Sequence, residues 1–232
     1  MHHVITAPAQ ATVPVVGGGL FPVHRIYCVG RNYAEHAQEM GFTGREPPFF
    51  FLKPADAVLP VADGSVGTMP YPQLTANLHH EIELVVAIGT GGRNIAAADA
   101  AKHIWGYAVG LDMTRRDLQN AMKKQGRPWC IGKAFDASAP IAPLHPISTT
   151  GELTSGAITL SVNGAQRQKG DLSDLIWSVA ETIETLSKAW ALQPGDLIFT
   201  GTPAGVGAVV AGDLIEGHIA GLGTLQVCIA AA

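Results

Sequence analysis

The sequence predicts one β-rich α+β domain, and three observations lead to this prediction. The chain has 232 residues, a length that suits one large domain. Apolar residues make up 47% of the chain and charged residues 15%, with 27 glycines and 15 prolines to form turns, a composition typical of a compact protein. Strand-like and helix-like segments are mixed without strict alternation or internal repeat, which favours an α+β arrangement.

The strands are predicted from apolar runs of strand length. Residues 4–24 read as an N-terminal arm with a triple-glycine turn, and residues 25–30 (RIYCVG) as the first buried strand. The apolar run at 49–52 is extended and is followed by turn-rich chain. The clearest strand is 81–88 (EIELVVAI), and 105–111 (WGYAVGL) is another; glycine-punctuated strands are expected beyond residue 194.

Helices are predicted where capping residues precede a helical pattern. Asn32 is a good N-cap for a helix that ends at Gly41, and Asn94 is predicted to cap a short helix through Ala98 and Ala101. Ser178 and Glu181 have the spacing of a capping box. A basic helical stretch is expected over residues 114–125.

Charge and cysteine usage exclude several classes of function. The net charge of −4 provides no attraction for nucleic acid or an anionic membrane, so neither is expected as a partner. The three cysteines show no disulfide or zinc-ligand spacing, which favours a reducing cytoplasm. The start of the chain lacks the pattern of a signal peptide, and no apolar run reaches the roughly 18 residues that span a bilayer.

Three acidic residues stand at the ends of the two clearest strands. Glu81 and Glu83 alternate along one strand and therefore share a face, and Asp112 directly follows the other. Two such carboxylates about 5 Å apart repel by about 3 kcal/mol at an effective dielectric near 20, so a positive group must offset them. Surface acids paired with arginine are one interpretation. Three oxygen donors without cysteine would otherwise suit a hard cation such as Mg²⁺ or Mn²⁺.

The pair His36 and Glu39 has the spacing of a general base. Residues three apart share a helix face, and a carboxylate beside an imidazole raises its basicity. A solvated surface pair explains the same spacing.

Basic residues and glycines supply further candidate ligand contacts. Five basic residues crowd positions 115–127, and one or two of them directed inward could hold a substrate carboxylate. Residues 201–207 follow a strand but lack the features of a phosphate loop, so they form either a ligand-contacting turn or a plain loop.

Six motifs in order resemble the fumarylacetoacetate hydrolase family over nearly the whole chain from Arg25. They are residues 30–40 (GRNYAEHAQEM), 51–54 (FLKP), 80–84 (HEIEL), 110–119 (GLDMTRRDLQ), 132–136 (GKAFD) and 200–207 (TGTPAGVG). The resemblance implies the family's mixed β-roll with few helices outside it, a homodimer, and one Mg²⁺ or Mn²⁺ per site. It implies roles for ten residues: metal ligands Glu81, Glu83 and Asp112; catalytic residues His36, Glu39 and Lys133; and substrate contacts Arg31, Arg116, Gln119 and Thr202.

Within the family, the basic segment is most similar to that of the fumarylpyruvate hydrolases. The implied reaction is hydrolysis of the carbon–carbon bond of an acylpyruvate, with fumarylpyruvate giving fumarate and pyruvate in aromatic-acid (gentisate) catabolism. The implied organisation is an arm, residues 1–24, and one catalytic domain, residues 25–232. Two alternatives remain: an oxaloacetate decarboxylase or 2-oxo-diacid tautomerase on the same scaffold, or a non-catalytic metal-binding protein.

Overall fold

The computed structural model describes residues 4–33 and 45–231, and most of its regular structure is strand. In chain order the strands are β1 (Thr12–Pro14), β2 (Leu20–Pro22), β3 (Ile26–Gly30), β4 (Phe49–Lys53), β5 (Val58–Pro60), β6 (Val66–Pro70), β7 (Leu78–His80), β8 (Ile82–Ile88), β9 (Ile104–Leu111), β10 (Thr114–Arg115), β11 (Ala139–Ile141), β12 (His145–Pro146), β13 (Ala157–Val162), β14 (Ala165–Asp171), β15 (Leu197–Phe199), β16 (Gly207–Val209), β17 (Leu214–Ile219) and β18 (Gly223–Ala230).

The helices are short and few. The described α-helices are α1 (Arg116–Lys124), α2 (Cys130–Lys133), α3 (Ile147–Thr150) and α4 (Val179–Ala189), with 3₁₀ helices at Ala55–Ala57, Ala97–His103 and Leu172–Asp174. Within the described ranges, none of these helices has the length and apolar character needed to cross a membrane.

Two large mixed sheets form the body of the molecule. The central sheet has the order β4-β3-β15-β8-β9-β11-β5, with β12 also paired to β9, and the second sheet has the order β14-β13-β17-β18-β6. Most pairs are antiparallel, but β15 runs parallel to β3, β11 to β5 and β18 to β6. The predicted β-rich α+β class is therefore confirmed.

Strand β8 is buried on both faces, as its uninterrupted apolar sequence predicts. Its even-numbered residues, Ile82 to Ile88, belong to the main core, which also contains residues of the five-stranded sheet. Its odd-numbered residues Val85 and Ala87 belong to a second core, which the hairpin of β1 and β2 covers with Val13 and Phe21. Each fully buried side chain of valine, leucine or isoleucine contributes about 1.5–3 kcal/mol to the free energy of unfolding.

Most of the predicted elements are confirmed, with two corrections and one prediction that stays open. The predicted helix at 94–101 is instead a 3₁₀ helix that starts at Ala97, and Asn94 does not cap it because its backbone is left-handed, with φ of 49°. The basic stretch begins as β10 before it becomes helical at Arg116. The helix predicted to follow Asn32 and end at Gly41 lies outside the described residues.

The capping box at the start of α4 is present as predicted. The Ser178 hydroxyl accepts a hydrogen bond from the Glu181 N–H at 3.3 Å, and the Glu181 carboxylate accepts from the Ser178 N–H at 3.1 Å. This helix buries Ile183 and Leu186 in the main core.

Replacing Ser178 with alanine should lower the free energy of unfolding by about 1 kcal/mol, because one N–H of the first turn loses its acceptor. Urea denaturation followed by circular dichroism measures this change. Ser155→Ala, at an exposed loop position, is the matched control and should leave the midpoint unchanged. An equal midpoint for Ser178→Ala and the control would contradict the assigned cap.

Candidate functional site

Three carboxylates meet where β7 passes into β8 and where β9 ends. Glu81 joins the two strands, Glu83 lies on β8, and Asp112 directly follows β9. Antiparallel pairing aligns them, because Ile82 is opposite Leu111 and the Asp112 N–H donates to the Glu81 carbonyl at 2.8 Å. One oxygen from each carboxylate lies within 4.8 Å of the others, and all three side chains are buried. We call Glu81, Glu83 and Asp112 the acidic triad.

Three cationic side chains surround the acidic triad. The Lys133 ammonium donates to Glu81 Oε2 at 2.7 Å, to Asp112 Oδ2 at 2.6 Å and to the Thr114 hydroxyl at 2.7 Å. Arg116 donates to Glu81 Oε1, and Lys53 Nζ lies 2.9 Å from Asp112 Oδ1. All three cations contact Glu81 or Asp112, which limits the cost of burying those two carboxylates.

The two glutamates of the triad have opposite environments. Burial raises the pKa of Glu81, but Lys133 and Arg116 outweigh burial and hold that pKa below its ordinary value. Burial, followed by the charges of Asp112 and Glu81, raises the pKa of Glu83 well above its ordinary value. No lysine or arginine in the described ranges forms an ion pair with Glu83, which accepts the Gly201 N–H at 2.8 Å. A further positive charge at the triad would stabilise ionised Glu83.

The triad fits a hard divalent cation. Its donors are all carboxylate oxygens, the ligands that Mg²⁺ and Mn²⁺ prefer. The cavity at these oxygens has a volume of about 30 Å³, which suits an ion or one small group. Asp112 Oδ1 is buried without an aligned hydrogen bond, since Lys53 approaches it only as an ion pair.

The residues predicted to contact substrate all line this cavity, which we call the acidic cavity. Arg31, Arg116, Gln119 and Thr202 are among its walls, together with Lys133. Arg116 Nη1 donates to Gln119 Oε1 at 2.5 Å, so the amide hydrogens of Gln119 are left for other acceptors.

The neighbouring Arg115 is directed elsewhere. Its guanidinium lies 4.4 Å from the centre of the Phe135 ring, and its Nη1 donates to the Ile131 carbonyl at 3.3 Å. Arg115 is not among the residues that line the acidic cavity. Of the two adjacent arginines, Arg116 is therefore the one that faces the triad.

His36 and Glu39, the predicted water-activating pair, lie outside the described residues. Arg31 and Phe49, which precede and follow this segment in the sequence, line the acidic cavity. The assignment of His36 and Glu39 stays a prediction.

The sequence reasoning missed Lys53 and the aromatic residues beside the triad. Lys53 is 2% exposed and donates to the carbonyls of Met113 and Lys133 as well as approaching Asp112. The sequence did contain a signal, since Lys53 directly follows an apolar run that predicts a buried strand. A lysine in such a place is almost never fully buried unless it is paired with an acid.

An aromatic pocket adjoins the acidic cavity. It has a volume of about 370 Å³, and Phe49, Phe51, Trp129 and Lys133 line both spaces. Trp129 packs edge-on against Phe49 with ring centres 5.4 Å apart. Arg127 is an exposed residue of the same pocket. This pocket was not predictable from the sequence, because its walls come from two segments that are distant along the chain.

Comparisons with known proteins identify the family to which this chain is similar. Residues 25–230 match the model of the fumarylacetoacetate (FAA) hydrolase C-terminal family. A fumarylpyruvate hydrolase from Pseudomonas aeruginosa, whose crystal structure contains Mn²⁺ and pyruvate, is 57% identical, with a TM-score of 0.98 and full coverage of both chains.

Two oxaloacetate tautomerases are also similar to this chain. The mitochondrial enzyme FAHD1 from Rattus norvegicus is 43% identical over 201 residues, which are 87% of this chain and 89% of that protein. The enzyme YcgM from Escherichia coli is 41% identical over 203 residues, 85% of this chain and 91% of that protein. These matches confirm the predicted resemblance and its β-roll fold, and the chain belongs to the fumarylacetoacetate hydrolase family.

Proposed function

We propose that this chain hydrolyses the carbon–carbon bond of an acylpyruvate, with fumarylpyruvate as the preferred substrate. The observation that carries the proposal is a buried acidic triad in one cavity with Arg116, Gln119 and Thr202, the polar groups that a 2-oxo acid carboxylate requires. The similar fumarylpyruvate hydrolase structure contains Mn²⁺ and pyruvate, and pyruvate is a product of this reaction.

Glu81, Glu83 and Asp112 would hold one Mg²⁺ or Mn²⁺. A divalent cation held there would supply Lewis-acid catalysis and would stabilise negative charge that develops on the substrate. The three cationic side chains around the triad already balance its charge. With a divalent cation bound, the site would therefore carry a net positive charge, which suits an anionic substrate.

Polar side chains of the cavity orient the pyruvoyl end of the substrate. Arg116 is buried and directed by Glu81 and by His79 Nδ1, which lies 3.3 Å from its Nε. Gln119 and Thr202 lie beside it, and Arg31 completes the set of predicted contacts. Fixed donors of this kind position a carboxylate without reorganisation during the reaction.

Hydrolysis requires a base and a stabilised oxyanion. His36, oriented by Glu39, would take a proton from water, whose oxygen bonds to the distal carbonyl carbon before the carbon–carbon bond breaks. Lys133 would stabilise the oxyanion, but its three N–H bonds are directed at Glu81, Asp112 and Thr114. This role therefore requires Lys133 to release one carboxylate, which a cation on the triad would favour by repulsion.

The aromatic pocket suits the acyl part of fumarylpyruvate. Its rings match a flat unsaturated chain, and Arg127 can pair with the second carboxylate. The proposed active form is a homodimer, as the family resemblance implies, and size-exclusion chromatography with light scattering tests this.

Oxaloacetate tautomerisation is the second candidate function. It is favoured by several relatives at 41–44% identity that are oxaloacetate tautomerases. The same triad would serve it, since tautomerisation and decarboxylation of oxaloacetate also pass through an enolate, without an attacking water.

The triad should bind one Mn²⁺ per chain. Glu83→Gln should weaken binding by more than about 100-fold, because even outer-shell partners of a metal are worth 10–100-fold. Isothermal titration calorimetry with MnCl₂ measures this, with the exposed Glu152→Gln as the matched control. Unchanged Mn²⁺ affinity in Glu83→Gln would refute the assigned ligands.

Hydrolysis should place solvent oxygen in fumarate. With Mg²⁺, fumarylpyruvate in ¹⁸O-water should give fumarate with one labelled oxygen, and His36→Ala should be slower by about 10²–10⁴-fold because it lacks the base. Mass spectrometry of the products measures the label, and the exposed His218→Ala is the control. Rapid keto–enol interconversion of oxaloacetate without cleavage of any acylpyruvate would instead establish the tautomerase.

Arg127 should distinguish substrates by their far end. Arg127→Gln should raise KM for fumarylpyruvate by about 10-fold or more, the loss of one charge-assisted contact, and leave acetylpyruvate unaffected because it has no second carboxylate. Steady-state kinetics with both substrates measures the difference. Arg93→Gln, which replaces an exposed arginine outside the aromatic pocket, is the control. Equal changes for the two substrates would contradict this role.

A further inference from the structure

A buried glutamine forms hydrogen bonds to two segments that carry residues of the acidic cavity. Gln168 lies on β14 and is completely buried. Its amide contacts the start of β8 on one side and the loop after β15, which carries Thr202, on the other. No sequence motif identified this residue.

The orientation of the Gln168 amide is determined by two backbone groups. Its Oε1 lies 3.2 Å from the Ile82 N–H, which can only donate. Its Nε2 lies 2.8 Å from the Pro203 carbonyl, which can only accept. Exchanging the amide oxygen and nitrogen would place like groups against each other at both positions, so only one orientation satisfies them.

This orientation determines the role of the Thr202 hydroxyl. The second Nε2 hydrogen of Gln168 points to Thr202 Oγ1 at 2.8 Å, so the hydroxyl oxygen accepts there. A hydroxyl has one hydrogen, which is then available in another direction. Among residues 4–33 and 45–231, no acceptor is recorded for it, and Thr202 is a wall of the acidic cavity.

All the hydrogen-bond donors and acceptors of the Gln168 amide are used. Its Oε1 also lies 2.9 Å from His80 Nδ1, so both acceptor sites and both donor hydrogens are used. The loop is pressed against β14 at Gly205, where φ is 92° and an added Cβ would lie 2.1 Å from the Arg167 carbonyl oxygen. This close approach keeps Thr202 within reach of Gln168.

We propose that Gln168 is a positioning residue that makes the Thr202 hydroxyl a dedicated hydrogen-bond donor to the carboxylate of a bound 2-oxo acid. The proposal rests on the function proposed above only in its choice of ligand. Gln168 does not touch the ligand; it donates to the hydroxyl oxygen, which leaves the hydroxyl hydrogen available to donate into the acidic cavity that Thr202 lines.

A double-mutant cycle on pyruvate binding tests this relation. Equilibrium dialysis of the Mn²⁺-loaded protein with radiolabelled pyruvate gives the dissociation constant without any turnover. Thr202→Val should weaken pyruvate binding by about 10-fold or more, the loss of a hydrogen bond to a charged group. Gln168→Met should give a similar loss, and the double variant should be no weaker than Thr202→Val alone.

Controls separate this role from a structural one. Gln166→Met makes the same change at an exposed position of β14 and should bind pyruvate as the wild type does. Mn²⁺ affinity should be unchanged in every variant, which excludes an effect transmitted through Ile82 to the triad. If Gln168→Met does not fold, Gln168→Glu keeps the acceptor oxygen and replaces the donor, and should lose affinity as Thr202→Val does.

Three results would overturn the proposal. They are unchanged pyruvate affinity in the Gln168 variants, losses that multiply in the double variant, and no pyruvate binding by the Mn²⁺-loaded wild type. This test is independent of the hydrolase proposal. If the protein cleaves no acylpyruvate but the pyruvate affinities of the variants change as expected, the role of Gln168 stands and only the proposed reaction fails.

Discussion

The burial of three carboxylates within 4.8 Å of one another is the constraint on which the rest of the site depends. Lys53, Lys133 and Arg116 offset these charges, and each comes from a different part of the chain. Only a fold that brings these segments together can bury the acids at tolerable cost, because an unpaired buried charge costs several kcal/mol. The charge balance of the site therefore depends on the β-roll fold, which brings these three segments together. Glu83, left without a cationic partner in the described ranges, is where a cation is most needed.

The sequence predicted the acidic triad because strand alternation and strand ends can be recognised from neighbouring residues. Alternation of side chains from Glu81 into β8 places Glu81 and Glu83 on one face, and the apolar run before Asp112 predicts the end of β9. Once the two strands pair, their register brings all three residues together. The capping box of Ser178 and Glu181 was predictable for the same reason, since both partners lie within one turn.

The remainder of the site was not predictable because it depends on contacts between distant segments. Gln168 is 86 residues from Ile82, and it lies on a strand whose sequence reads as solvent-exposed. Asn94 was wrongly expected to cap a helix, because its side chain suits a cap but its backbone adopts a left-handed turn. The partners of a side chain on another sheet cannot be read from spacing alone, whereas alternation and capping can.

The double-sided burial of β8 also limits how its sequence can change in length. Because neighbouring residues face different cores, loss or gain of one residue would exchange the two faces and send the acids into the main core. Changes by two residues would preserve the faces but move the carboxylates by about 7 Å along the strand, out of line with Asp112. Insertions and deletions in this strand would therefore disrupt the site whether they change its length by one residue or by two. The exposed turn around Gly64, in contrast, is free to vary in length.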